Sequence, residues 1–157
     1  MESISVFEII KVGIGPSSSH TMGPWNAAEM FLEEIKRTNT LQNVKKIFVE
    51  FFGSLAKTGV GHGTDIAAML GLCGENFKEI DTDTIDVKIT EIKNSSQLNL
   101  GGEKVLPFVY GENLILNMEK SLDFHPNGMV FKAIFENGEI LERDYYSVGG
   151  GFVATKE

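Results

Sequence analysis

Apolar residues recur at helical spacing in several parts of the chain. Residues 24–37 place apolar side chains at every third or fourth position and charged ones on the opposite face, which predicts an amphipathic helix. A second, more apolar helix is expected from Thr64, as its N-cap, to Gly74. Residues 81–93 fit a helical stripe and a strand alternation equally well, and a helix is the favoured interpretation.

Strand signals occupy most of the remaining chain. Residues 45–52 are rich in Ile, Val and Phe and predict a mostly buried strand. Residues 98–118 contain short apolar runs broken by glycine and proline, which predicts short strands and turns. The clearest hairpin joins residues 129–135 to 139–146 through Asn137, because the Asn-Gly pair there supplies the positive backbone angles of a tight turn.

The order of these elements indicates an α+β fold. Helices precede most of the strands, so a single domain with a mixed or antiparallel sheet packed by helices is expected. A further short helix is predicted over residues 5–13, where Ser5 and Glu8 resemble a capping box. The three glycines at 149–151 are expected to end the ordered pattern. The length of 157 residues allows one core of ordinary size.

Composition narrows the partners and the compartment. The net charge of -8 disfavours nucleic acid or an anionic membrane as the main partner. Cys73 is the only cysteine, so no internal disulfide can form, and a buried, reduced thiol in the cytoplasm is the expectation. No stretch approaches the roughly 20 apolar residues that span a bilayer. These features predict a soluble protein that is not exported.

The segment 13–24 carries the most unusual chemistry of the sequence. Glycines and prolines at both ends break the chain, and the segment leads into the first predicted helix. Unpaired amides and the helix dipole favour an anion at such a helix start, although hydroxyls before a helix are often only caps. The polar side chains of this segment are Ser17, Ser18, Ser19, His20 and Thr21.

Three other polar insertions resemble that segment, and together the four contain every histidine of the chain. Each also has a structural interpretation: an acidic residue in the first turn of a helix, a Pro-Asn-Gly turn, and a flexible glycine linker. Because all three histidines lie in such loops, a shared site is predicted. The candidate residues in these insertions are His62, Thr64, Asp65, His125, Asn127, Ser147, Gly149 and Gly150.

Several of these motifs occur together in one known family. The chain resembles the β domain of bacterial iron-sulfur-dependent L-serine dehydratases over essentially its whole length. The run Gly-Pro-Ser-Ser-Ser-His-Thr-Met-Gly-Pro is long and unusual, so the resemblance is far more specific than a lone glycine motif. The segments that carry it are residues 5–9, 13–24, 52–55, 61–67, 125–129 and 145–152.

The resemblance implies a lyase that converts L-serine to pyruvate and ammonia and uses a four-iron four-sulfur cluster. Such a cluster needs several cysteine thiolates, whereas this chain has one. Residues 1–157 are therefore expected to form a serine dehydratase β domain that requires a separate cluster-binding α domain and does not catalyse alone. The resemblance also implies a fold similar to the allosteric substrate-binding domain of some 3-phosphoglycerate dehydrogenases. A homo-oligomer is expected as well, since apolar surface awaiting the α domain favours self-association.

The resemblance also suggests roles for the candidate residues. His20 or His62 is the expected proton-transfer group, since imidazoles titrate near neutral pH, and Asp65 is expected to orient an imidazole. His125 and Asn127 suit recognition of serine, as substrate or as an effector. No metal ligand is predicted in this chain. The remaining residues expected to bind substrate or effector are Ser17, Ser18, Ser19, Thr21, Thr64, Ser147, Gly149 and Gly150.

Other classes of protein fit the residues less well. A stand-alone regulatory module would hold an amino acid through hydroxyls and amides without chemistry, and serine binding in the absence of an α domain would support it. A Ser/His hydrolase needs an activated nucleophile, and the sequence has no Gly-x-Ser-x-Gly elbow. A metal site built from three histidines is possible by ligand type, yet their positions show no recognisable spacing.

Overall fold

The computed structural model describes residues 19–155, apart from the side chains of residues 61 and 62. The helix predicted over residues 5–13 lies outside this part of the chain. Two short 3-10 turns, Leu41–Asn43 and Thr82–Thr84, precede a strand and a helix. The main elements are α1 (Met22–Thr38), β1 (Val44–Phe52), α2 (Gly53–His62), α3 (Thr64–Leu72), α4 (Ile85–Ser95), β2 (Gln97–Leu100), β3 (Lys104–Pro107), β4 (Leu114–Asn117), β5 (Gly128–Phe135), β6 (Ile140–Gly149) and β7 (Phe152–Thr155).

The principal sheet of the described residues has five strands in the order β4-β1-β5-β6-β7. β1 runs parallel to β4 and antiparallel to β5, and the β5-β6-β7 meander is antiparallel throughout. β2 and β3 form a separate antiparallel pair. The expected α+β domain with a mixed sheet is therefore confirmed, and the predicted hairpin turn is present, with Gly138 at a φ of 89°.

The core lies between this sheet and the helices. Ile47, Val49 and Phe51 alternate along β1 and are all buried, as the period of two in a strand requires. The buried face of α1 meets the sheet through Phe31, whose ring packs against those of Phe131 and Tyr145. No helix among the described residues is long and apolar enough to cross a membrane. The apolar stripe of α1 thus covers the sheet, as its periodicity predicts.

Three details of the predicted fold are wrong. The segment that ends at His62, which was expected to be a loop, is the helix α2. The N-cap of α3 is Gly63, and Thr64 is the first helical residue. The glycines at 149–151 do not end the ordered chain, because β7 follows and pairs with β6. All three glycines have a positive φ, between 63° and 104°, and this left-handed conformation turns the chain back on itself.

Candidate active site

His20 lies just before α1 with a serine hydroxyl at each ring nitrogen. The Nδ1 atom is 2.8 Å from the Ser19 hydroxyl, and the Nε2 atom is 3.1 Å from the hydroxyl of Ser54, at the start of α2. A neutral imidazole has one donor and one acceptor nitrogen, so one serine donates to the ring and the other accepts from it. The ring orientation is fixed, and a proton on either nitrogen has a hydroxyl partner.

The end of β6 holds the segment that carries His20. The Ser147 hydroxyl donates to the backbone oxygen of Ser19 over 2.5 Å, and the Ser147 side chain is fully buried. This contact depends on Gly23 in the first turn of α1, because a Cβ atom there would lie 2.0 Å from the Ser147 hydroxyl. The close approach of α1 to β6 therefore requires glycine at this position.

The turn before β5 connects Ser54 with Ser147. Ser54 N donates to the Pro126 oxygen over 3.1 Å. Asn127 and Ser147 are joined twice, through Ser147 N to the Asn127 oxygen at 3.0 Å and through Asn127 Nδ2 to the Ser147 oxygen at 3.2 Å. With the peptide bond between Pro126 and Asn127, these hydrogen bonds form a closed circuit, which we call the polar ring: Ser19, His20, Ser54, Pro126, Asn127 and Ser147.

His125 is joined to the polar ring through its neighbour. Asn127 N donates to His125 Nδ1 over 3.0 Å. Because Nδ1 accepts this bond, the neutral imidazole carries its proton on Nε2. His125 is half-buried, and its Nε2–H group is a donor that suits a carboxylate or hydroxyl oxygen.

The start of α3 adds a buried carboxylate next to this circuit. Thr64 donates to the backbone oxygen of His20, so α3 begins next to the polar ring. The following residue, Asp65, is buried, and its Oδ2 atom accepts a 2.6 Å hydrogen bond from the Tyr110 hydroxyl. Burial and the Asp65 carboxylate raise the pKa of Tyr110, so this hydroxyl remains a donor at neutral pH.

The structure brings together most of the sequence-predicted site residues that it describes. Ser17, Ser18 and the His62 side chain lie outside the described part of the chain. Thr21 is the buried N-cap of α1. Gly149 pairs with β7, while Gly150 is an exposed turn residue. The predicted residues in the polar ring or bonded to it are Ser19, His20, Thr64, His125, Asn127 and Ser147.

Sequence reasoning did not identify two residues of the site, Ser54 and Tyr110. Ser54 follows a glycine just after a strand. It stands out as a polar residue at a helix start only once α2 is known to be a helix. Tyr110 is 45 residues from Asp65 in the chain, and no local pattern connects them. Both residues become recognisable only from their long-range hydrogen bonds, Ser54 to His20 and Tyr110 to Asp65.

Exposed apolar side chains accompany the polar ring. They lie on α2, at the β6-β7 turn and in the loop before β5, the same parts of the fold that carry ring residues. Phe124 precedes His125 directly, and Val148 follows Ser147. Exposed apolar side chains in such numbers are typical of an interaction surface. The members of this apolar rim are Val60, Met118, Phe124, Val148 and Phe152, each at least 47% exposed.

The described residues offer no metal site. No group of three or more His, Cys, Asp or Glu side chains among them is placed to hold a metal ion. The thiol of Cys73, at the end of α3, has its pKa raised to about 11, mainly by burial. A metal ligand must be the thiolate, which this environment disfavours. The expected reduced and largely buried thiol agrees with this position.

Comparison with known proteins assigns the chain to a family. Residues 5–157 match the family model described as serine dehydratase beta chain. The chain belongs to the serine dehydratase beta chain family. Among family relatives, an L-serine dehydratase of Streptomyces coelicolor is 42% identical over 156 residues, and one of Haemophilus influenzae is 42% identical over 155 residues. An L-serine dehydratase of Mycobacterium tuberculosis is 43% identical over 157 residues.

The serine dehydratase relatives are much longer than this chain. The alignments cover 98–99% of the chain but 34% of each of these three relatives. The chain therefore spans about a third of the length of the curated relatives it matches. The polar ring and the apolar rim belong to the part of the serine dehydratase sequence that the beta chain model describes.

Proposed function

We propose that this chain is the β part of an L-serine ammonia-lyase, which converts L-serine to pyruvate and ammonia. Membership in the serine dehydratase beta chain family supports the proposal. The observation that carries it is the polar ring, in which loops far apart in the sequence surround one imidazole. A domain with a merely structural role has no need of an imidazole placed between two hydroxyls in a ring of four separate segments.

Within this proposal His20 moves the proton. Removal of the α-proton of serine needs a base with a pKa near the working pH, and imidazole is the usual choice. The hydroxyls of Ser19 and Ser54 hold the ring in one orientation and offer a path for the proton after abstraction. His62 stays the alternative base of the sequence analysis. Thr64 keeps the His20 backbone in place through its hydrogen bond.

His125 recognises the substrate or an effector serine. Asn127 is hydrogen-bonded to Nδ1 of His125, so this contact does not occupy the Nε2–H group. An imidazole N–H donor can bind the serine carboxylate or hydroxyl. Ser147 and Asn127 fix the turn that presents this donor. We expect His125 to contribute to affinity for serine and His20 to the rate of the chemical step.

The iron-sulfur cluster of the proposed enzyme belongs to the rest of the protein. The chain has a single cysteine, whose thiol is kept protonated by its surroundings, and the described residues form no other metal site. These residues do not fit a cluster. The matched relatives extend over about three times the length of this chain, which leaves room for a cluster-binding α domain.

The exposed side chains of the apolar rim support docking of that α domain on this chain. Phe152 is 74% exposed and Val60 is 62% exposed, and burying such side chains against a partner is favourable by about 25 cal/mol per Å² of apolar surface. A site closed by the α domain also excludes water from the base. The proposal therefore assigns no turnover to this chain in isolation.

Substitutions in the assembled enzyme test the proposed role of the polar ring. His20→Gln removes the base, and we expect kcat to fall by at least about 100-fold, the usual size of a general-base effect. Ser54→Ala removes one of the two hydroxyl partners of the His20 imidazole and should lower kcat about tenfold. Thr58→Ala is the matched control, because Thr58 lies one turn further along α2 and donates to the Ser54 backbone oxygen from an exposed position.

Each outcome has a clear meaning. Unchanged turnover in His20→Gln, with wild-type activity intact, would remove His20 from the mechanism and leave His62 as the candidate. Equal losses in Ser54→Ala and Thr58→Ala would show that the Ser54 effect is one of helix stability. Stereoselective binding of L-serine by this chain, with no pyruvate formed by any assembly that contains it, would favour the stand-alone regulatory module over the lyase.

A further inference from the structure

Asp65 is a buried carboxylate with one oxygen hydrogen-bonded and the other unpaired among the described residues. It is 3% exposed, and it is the buried acidic residue among the described part of the chain. Its Oδ2 atom accepts the Tyr110 hydrogen bond at 2.6 Å, whereas Oδ1 is buried without a hydrogen-bond partner among the described residues. Leaving a charged acceptor buried and unpaired is costly. No donor among the described residues therefore pairs with Oδ1.

Helix capping does not explain this arrangement. An acidic residue in the first turn of a helix interacts well with the helix dipole from an exposed position, and it needs neither burial nor a distant partner. Asp65 has both, because its partner Tyr110 lies 45 residues later, before β4. The carboxylate is thus held at a defined place in the tertiary structure.

Tyr110 fixes the direction in which Asp65 presents its open oxygen. Burial, with the Asp65 contact, raises the pKa of the tyrosine, so its hydroxyl donates throughout the neutral range. On the other side of the ring, the Lys93 ammonium group of α4 lies 4.4 Å from the ring centroid, a distance at which a cation is attracted to an aromatic face. With Oδ2 occupied and the ring held, Oδ1 is a single acceptor of fixed orientation.

We propose that Oδ1 of Asp65 binds the ammonium group of the amino-acid substrate and that Tyr110 is a positioning residue for this carboxylate. The inference rests on the proposed function, because serine offers a carboxylate, a hydroxyl and one cationic group. A buried carboxylate is stabilised best by a cation that donates a hydrogen bond. Thr64, the neighbour of Asp65, donates to the backbone oxygen of His20, so the helix that carries Asp65 begins against the segment of the proposed base.

The test compares two ligands that differ only at the amino group. L-serine has an ammonium group where L-glycerate has a hydroxyl, and both have the same carboxylate and terminal hydroxyl. The KM for L-serine and the inhibition constant of L-glycerate are measured for the assembled enzyme. Asp65→Asn should raise the KM for L-serine by about 100-fold or more. Tyr110→Phe should raise it by about tenfold, the size expected for a hydrogen bond to a charged group. L-glycerate should bind each variant about as well as the wild type.

Tyr145→Phe is the matched control, since it removes the hydroxyl of a tyrosine buried in the core between Phe31 and Phe131. It should leave the ratio of the two constants unchanged. If Asp65 or Tyr110 had a purely structural role, its substitution would weaken the binding of both ligands by the same factor. That result, or unchanged binding of both ligands, would overturn the inference. Absence of pyruvate formation by the wild-type assembly would instead refute the proposed function, and the ammonium site with it.

Discussion

A methyl group added at Gly23 should break the contact that holds the site segment to the sheet. The Cβ atom of Gly23→Ala would lie 2.0 Å from the Ser147 hydroxyl and 2.6 Å from the Ser147 Cβ atom. Favourable contacts between such atoms begin near 3.5 Å, so Ser147 or α1 must move by roughly 1 Å or more. Rotating the serine away breaks its hydrogen bond to Ser19.

The size of this effect follows from three contributions. Overpacking a well-packed site costs about 1–3 kcal/mol, and loss of the hydrogen bond from Ser147 to Ser19 costs about 0.5–1.5 kcal/mol. Replacing a helical glycine by alanine returns about 0.5–1 kcal/mol. We expect Gly23→Ala to lower the free energy of unfolding by about 1–3 kcal/mol, which corresponds to a fall in Tm of roughly 3–10 °C for a domain of this size.

A double variant separates the clash from other causes. Ser147→Gly removes both atoms that the new methyl group would meet, and the next nearest atom, the Ser147 Cα, lies at 3.6 Å. Denaturant unfolding of the wild type, both single variants and the double variant gives the interaction energy. We expect a favourable coupling of about 1–2 kcal/mol between the two substitutions. A Gly23→Ala protein as stable as the wild type, or additive single effects, would refute the packing argument.

Further predictions concern the buried ionisable groups and His125. The pKa of the Cys73 thiol is raised from 9.0 to about 11 in the folded protein. Between these two pH values the unfolded chain loses the thiol proton while the folded protein keeps it. The free energy of unfolding should therefore fall as the pH rises from 9 to 11, by up to about 3 kcal/mol. Cys73→Ala should flatten that part of a curve of unfolding free energy against pH, and alkylation of the native thiol at pH 7 should be slow. Asp65→Asn should unfold at the same or a higher temperature than the wild type, because it removes a buried charge. Tyr110→Phe should lower the free energy of unfolding by about 1.5–3 kcal/mol. Calorimetry of the two variants distinguishes these effects. His125→Gln should raise the KM for serine with little change in kcat, and a fall in kcat alone would contradict a binding role.

Local patterns predicted the elements whose signals are strongest. The apolar stripe of residues 24–37 became α1, and the Asn-Gly pair before Glu139 became the β5-β6 hairpin. The ambiguous residues 81–93 are helical from Ile85 onward, because Ile85, Ile89 and Ile92 all find burial on one side. In each case the periodicity of the sequence matches the side that the tertiary structure buries.

The missed features depend on contacts that the local sequence does not contain. The helix α2 contains three glycines, which give it a low intrinsic helix propensity, but its first amides are held by the backbone oxygens of Lys120 and Pro126. β7 follows three glycines that are typical of a linker, and only its pairing with β6 orders it. The shared site of the loops stays a prediction, and the contacts of Ser54 with His20 and of Tyr110 with Asp65 join segments far apart in the sequence.

The most direct test of the proposed function is an assay for pyruvate. This chain is combined anaerobically with the cluster-binding α chain or domain of the same organism, and pyruvate is measured with L-serine and with D-serine as substrate. The account predicts pyruvate from L-serine when both parts are present, none from either part alone, and a loss of at least about 100-fold with His20→Gln. Undiminished pyruvate formation by the α part without this chain, or none with both parts and an intact cluster, would contradict it.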